Sequence, residues 1–242
     1  KRDCFKMQAR EILHEQKYNR VDARADYKKR QAEMNDEQRH IFKSVSDKLY
    51  EQPPRQEYSK TAFFIDAPGG AGKTFVCSAL LSLVRSHGDI ALACASSGIA
   101  ATNYRGGRTV HSRFKVPIPI GANSTSSLTR TQKELLRMTK LIIWDEAPMQ
   151  QKWIMENVDR TLKDVMQTDK PFGGKVVVFC GDFRQVAPVI PRAGRAQIVA
   201  KAISNSKLWS SIQPLSLTIN ERLNRTKNVS RTERSKLQRW AK

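Results

Sequence analysis

Three short stretches carry residue types that do chemistry on a polyphosphate. The first is Ala67-Pro68-Gly69-Gly70-Ala71-Gly72-Lys73-Thr74. Its glycines let backbone N–H groups turn inward without a Cβ clash, and those groups with a following helix start cradle phosphate oxygens. Lys73 would reach the β- and γ-phosphates, and Thr74 would offer a hydroxyl to Mg²⁺. The first motif position is Ala67 where a glycine is commoner. About 70 residues later the apolar run Leu141-Ile142-Ile143-Trp144 ends in Asp145-Glu146. An apolar strand delivering two acids at its carboxyl end suits a metal-holding Asp145 and a water-polarising Glu146. Neighbouring strand residues point to opposite faces, so the two acids have different jobs. The third stretch, Val176 to Cys180, leads into Gly181-Asp182-Phe183-Arg184-Gln185, where Gln185 is positioned to contact the γ-phosphate.

Such groups need rigid strands behind them. Apolar runs at 61–67, 90–95, 141–144, 176–181 and 215–219 are short and bounded by turn residues. Helix-like segments fall between them, at 73–86, 132–139, 150–167 and 195–212. Strands alternating with helices predict an α/β fold with a mainly parallel sheet flanked by helices, its ligands at the carboxyl ends of the strands. Upstream, Asn35-Asp36 reads as a helix start. Ile41, Phe42, Val45 and Leu49 follow at helical spacing over 36–50. Pro53 and Pro54 mark 51–60 as a linker. Residues 1–34 are polar and free of Pro and Gly, which predicts an exposed helix or disorder outside the main core. The segment 117–129 reads as an exposed loop.

The chain has 242 residues and a formal net charge of +20, and half of that surplus lies in 191–242. A field of this sign attracts polyanions, of which nucleic acid is the commonest in cells. No apolar run reaches the roughly 18 residues that cross a bilayer, so no membrane partner is expected. Cys4, Cys77, Cys94 and Cys180 are widely and irregularly spaced, as expected of buried reduced thiols in an intracellular protein and not of a metal site or disulfide frame.

Taken in order, the motifs resemble the superfamily 1B DNA helicases of the petite-integration-frequency (PIF) family, particularly the Helitron-type helicase domain. The matching text is M-N-D-E-Q (34–38), A-P-G-G-A-G-K-T (67–74), A-S-S-G-I-A-A (95–101), G-G-R-T-V-H-S (106–112), I-I-W-D-E-A-P-M (142–149), G-D-F-R-Q-V-A-P-V (181–189) and L-T-I-N-E-R-L (217–223). The resemblance implies a RecA-like P-loop NTPase domain over 35–224, a helical or disordered extension at 1–34 and a basic tail at 225–242. A second RecA-like domain would lie outside this chain. It implies ATP and Mg²⁺ as ligands, single-stranded DNA as partner, and 5′-to-3′ translocation coupled to hydrolysis. Gln38 would recognise the adenine edge, and Arg222 would stabilise charge on the γ-phosphate. Ser96, Ser97, Gly98, Thr109, His111 and Ser112 would touch the DNA strand. It further implies an intracellular, nuclear protein, with the mitochondrion as the alternative, acting in repair, recombination, telomere upkeep or transposition. No oligomeric state is implied. Two other readings stand beside it: a nucleotide- and DNA-binding module without turnover, and a P-loop enzyme of other purpose.

Overall fold

The computed structural model describes residues 11–50, 60–185, 188 and 194–224. Chain order begins with helical residues 11–16 (α1), α2 (Arg20–Glu33), α3 (Asp36–Tyr50), β1 (Ala62–Asp66), α4 (Lys73–Ser86) and β2 (Ile90–Ala95). There follow α5 (Gly98–Ala101), β3 (Arg108–Thr109), α6 (Val110–Phe114), α7 (Arg130–Met138), β4 (Thr139–Asp145) and α8 (Lys152–Met166). The described part ends with β5 (Val176–Gly181), α9 (Arg195–Ala200), β6 (Ile212–Ser216) and α10 (Glu221–Asn224).

The six strands form one sheet in the order β3-β2-β4-β5-β1-β6, and every pair is parallel. Alternation along the strands explains the two cores. Phe63, Ile65, Leu141, Ile143 and Val178 face α3 and α4, packing with Phe42, Val45, Val76 and Leu80. Phe64, Leu92, Ile142, Trp144, Val177 and Phe179 face the other side, against Leu135, Leu136, Ile154, Val158 and Leu162 of α7 and α8. A strand buried on both faces must be apolar at every position, which is why these runs do not alternate in polarity. Cys77 of α4 and Cys180 of β5 meet in the first core with their sulfurs 3.1 Å apart, and Cys94 is buried as well. Cys4 lies outside the described residues.

Several boundaries depart from the sequence expectation. Helix α7 begins at Arg130, where Thr129 and Gln132 form a reciprocal capping box. The single helix expected over 195–212 is instead α9, an isolated antiparallel bridge between Gln151 and Ala202, and two 3₁₀ turns. The cause is local competition for backbone groups. The Asn205 amide donates to the Val199 carbonyl at 2.6 Å, and Ser206 caps Leu208 at 3.3 Å. The last strand is Ile212–Ser216, not 215–219. Pro214 is tolerated there because β6 is an edge. The two-residue strand β3 carries no sequence signal of its own.

Of residues 1–34, expected to lie apart from the core, the described part from residue 11 onward is docked on it. Helix α2 packs along α4, with Asp26 accepting from Ser82 at 2.6 Å and Arg30 lying over the Phe75 ring. Glu15 is buried between Arg85 and Arg113, each 3.6 Å away. Tyr18 lies under the Arg85 guanidinium at 3.8 Å. Of the expected linker 51–60, residues 51–59 lie outside the described residues, as does the basic tail 225–242.

Candidate active site

Strand β1 hands the chain to the phosphate loop, which needs glycine at two positions. Gly70 and Gly72 have φ of 84° and 91°, a region that other residues rarely enter. Space forbids a side chain there as well. A Cβ on Gly72 would collide with the Gln38 amide, and one on Gly70 would lie 2.8 Å from Asn220 Oδ1. Lys73 opens α4, and its ammonium donates to the carbonyls of Ala67 and Pro68, the latter at 3.1 Å.

The acids arrive on β4, two strands from β1. Asp145 is buried, with Oδ1 accepting from the Glu146 N–H at 2.9 Å and Oδ2 from the Tyr104 hydroxyl at 2.8 Å. Glu146 adopts a left-handed backbone with φ 53°, which turns its side chain from the strand direction towards the loop. Its Oε2 accepts from the Ser97 hydroxyl at 3.1 Å. Burial pushes the Tyr104 phenol well above its usual range, with Cys77, Cys180 and Asp145 adding to the shift. Tyr104 therefore keeps its proton and donates it in a hydrogen bond to Asp145.

Lys73, Asp145 and Glu146 line a cavity of about 430 Å³, together with Gly69, Gly70, Gly72, Thr74, Gln38, Gln185 and Arg222. Gln185, which is exposed, follows β5 and approaches Gly69. Arg222 reaches the cavity because the segment after β6 folds back over the loop. The Glu221 N–H donates to the Gly70 carbonyl at 3.1 Å, and the Asn220 amide to Gly69 at 3.4 Å. Glu37 holds that segment by accepting the Thr218 and Ile219 N–H groups at 2.7 and 3.2 Å.

Gln38 is buried and does two structural jobs. Its carbonyl accepts the Asn35 N–H at 3.3 Å while Asn35 Oδ1 accepts the Gln38 N–H at 2.9 Å, a reciprocal cap for α3. Its amide donates to the Ala71 carbonyl at 3.1 Å, fixing the loop. An amide nitrogen carries a second N–H, and the side chain borders the cavity.

The residues expected to touch DNA sit on the neighbouring edge. Parallel pairing of β2 with β3 sets Ala95 beside Thr109, so 96–98 and 109–112 emerge together. The Ser96 hydroxyl donates to the Glu146 carbonyl at 2.7 Å. Thr109 caps α6 by accepting the Ser112 N–H at 3.3 Å. Gly98 and Ser112 are exposed. His111 is half-buried, and burial lowers its pKa.

Sequence reasoning missed Tyr104, Asn220 and Glu221. The cap between Asn35 and Gln38 was detectable as N-x-x-Q ahead of an apolar-periodic helix, whereas Tyr104 follows a four-residue helix and belongs to no motif. A Mg²⁺ ion fits this donor set. No cluster of three or more His, Cys, Asp or Glu among the described residues could hold a metal alone. Mg²⁺ commonly takes one or two carboxylates and completes its shell with water and phosphate oxygens. Two of the four lone-pair sites on Asp145 remain for it.

Among the described residues no helix is long and apolar enough to cross a membrane. The chain is 35% identical over 130 residues to an ATP-dependent DNA helicase Pif1 from a Psychrobacter species, covering 52% of this chain and 20% of that protein. It is also 35% identical over 136 residues to its namesake from Campylobacter jejuni, covering 52% and 29%. A solved Bacteroides Pif1 helicase in complex with ADP-AlF3 and single-stranded DNA superposes with a TM-score of 0.64 at 27% identity, over 82% of this chain and 48% of that one. The unliganded Pif1 from a Bacteroides species gives 0.63 at 26%, over 84% and 48%. The chain thus spans less than a third of those two relatives and about half of the solved chains. A family model described as PIF1-like helicase matches residues 33–242, and the chain, with its RecA-like sheet and phosphate loop, belongs to that family.

Proposed function

We propose that this chain is the nucleotide-binding motor domain of an ATP-dependent DNA helicase that moves 5′ to 3′ along single-stranded DNA. The observation that carries the reading is the shared cavity, in which the loop, both acids, Gln185 and Arg222 converge. On ATP binding, Lys73 exchanges the carbonyls of Ala67 and Pro68 for phosphate oxygens, a change of partner that needs only a side-chain rotation. Thr74 and Asp145 would hold Mg²⁺, whose charge would offset that building on the phosphate oxygens. Glu146 takes the proton of the attacking water. Gln185 contacts the γ-phosphate and reports its loss. Arg222 meets the transition-state oxygens with its fork of donors. The second N–H of Gln38 serves the adenine edge.

Ser96, Ser97, Gly98, Thr109, His111 and Ser112 follow the DNA backbone through hydroxyls and N–H groups. These suit phosphates and leave the bases unread. A location with the cell's DNA, in the nucleus or the mitochondrion, follows from the same reading. The test is a full-length Lys73→Ala variant assayed for ATP turnover with and without single-stranded DNA, and for unwinding. Loss of both activities is expected, and retention of both overturns the assignment.

A further inference from the structure

The segment joining β2 to α5 is fastened to the very residues that manage hydrolysis. The Ser96 N–H donates to the Asp145 carbonyl at 3.1 Å, and its hydroxyl to the Glu146 carbonyl at 2.7 Å. The Gln150 amide donates to the Ser96 carbonyl at 3.1 Å. Ser97 goes further and reaches the carboxylate itself, donating to Glu146 Oε2 at 3.1 Å. The same Ser97 oxygen accepts the Ala100 N–H at 3.1 Å as the cap of α5. Next to it the surface is open: a Cβ on Gly98 would meet nothing within 4 Å, and Ile99 is 85% exposed.

A serine hydroxyl has one proton. In this structure that proton is directed at Glu146 Oε2, so the carboxylate is tethered to Ser97 by the oxygen that a water would otherwise engage. We propose that Ser97 is a positioning residue that restrains Glu146 until a DNA phosphate takes over its O–H. This deepens, and rests on, the reading of 96–98 as a strand-binding segment. A phosphate arriving beside Gly98 is a competing acceptor of full negative charge. When the Ser97 O–H turns to it, Glu146 loses the tether on Oε2 and is free to swing to the attacking water. The cap on α5 survives the exchange, because it uses the oxygen's lone pair and not its proton.

The experiment measures steady-state ATP turnover of the full-length protein without and with saturating oligothymidine. Wild type, Ser97→Ala and Ser97→Thr are compared. In Ser97→Ala the rate without DNA is expected to rise about tenfold, as befits losing a hydrogen bond to a charged group, and to respond little to added DNA. The stimulation ratio then collapses, and Ser97→Thr restores it. Ser97→Gly, which helix caps tolerate nearly as well as serine, should reproduce the alanine result and covers the case in which Ser97→Ala does not fold. A wild-type stimulation ratio in Ser97→Ala or Ser97→Gly overturns the inference, as does an equal fall in both rates, the signature of a merely structural role. If the wild-type protein hydrolyses ATP with no response to DNA, the helicase reading fails first and takes this inference with it.

Discussion

Tyr104→Phe tests whether Asp145 is oriented from behind. The ring of Tyr104 belongs to the core beneath α4 and is 4% exposed, so phenylalanine keeps the packing and opens no sizeable cavity. What is lost is one 2.8 Å hydrogen bond into a buried carboxylate. Hydrogen bonds to charged groups contribute about 1.5–3 kcal/mol. The low end applies, because Asp145 keeps the Glu146 N–H on its other oxygen. A loss of about 1.5 kcal/mol lowers the Tm of a chain this long by roughly 3–6 °C. In the loaded site the freed carboxylate samples other orientations, and if the whole loss falls on the transition state the rate drops about tenfold. The assay pairs thermal unfolding with ATP turnover over a Mg²⁺ titration. Expected are a lower Tm, a reduced kcat and a higher Mg²⁺ half-saturation. An unchanged Tm refutes the hydrogen bond. A lowered Tm with unaltered turnover and Mg²⁺ dependence refutes the orienting role.

Two further outcomes follow from titrating groups. The Thr218 hydroxyl, more than the opposing effect of burial, holds the Glu37 carboxyl below its ordinary value of 4.5, and the Thr218 and Ile219 N–H groups add to it. Its contribution is therefore complete above pH 4.5 and lost as the pH falls through the depressed value. Glu37→Gln should melt below wild type at pH 7, and the gap should close on acidification; a gap that does not depend on pH would contradict the linkage. Among the thiols, burial pushes Cys94 up to about 12 and, with the Cys77 contact leading, raises Cys180. In a Cys4→Ser background a disulfide reagent at pH 8 should label no cysteine until denaturant is added, and native labelling at any of the three would show that the core opens.

How much of this could be read from the chain depended on whether a contact is local. The phosphate loop and the paired acids are contiguous words after apolar runs, and each word implies its own strand and turn. The sheet was legible for the same reason, since doubly buried strands must be apolar throughout. Contacts that cross the chain left no trace. Asn35 donates to Glu221 over 186 positions, and Tyr104 reaches Asp145 over 41. The left-handed turn at Glu146 was also hidden, because glutamate does not advertise positive φ as glycine does. The break in the helix expected over 195–212 needed side-chain hydrogen bonds from Asn205 and Ser206, whose effect depends on where the backbone has already gone.

The buried Glu15 has a practical bearing on where this protein is cut for study. The family match begins at residue 33, and a truncation there would remove both Glu15 and Tyr18. Arg85 and Arg113 would then be left with the carbonyls of Ala91, Arg105 and Gly106 and no counter-charge. Stranding one partner of a buried ion pair is usually more costly than never having built the pair. Arg85 sits in the last turn of the helix that Lys73 opens, and Arg113 one turn beyond Thr109 in α6. A shortened protein would thus loosen both the nucleotide helix and the edge assigned to DNA, and its weak activity would mislead anyone comparing it with longer relatives.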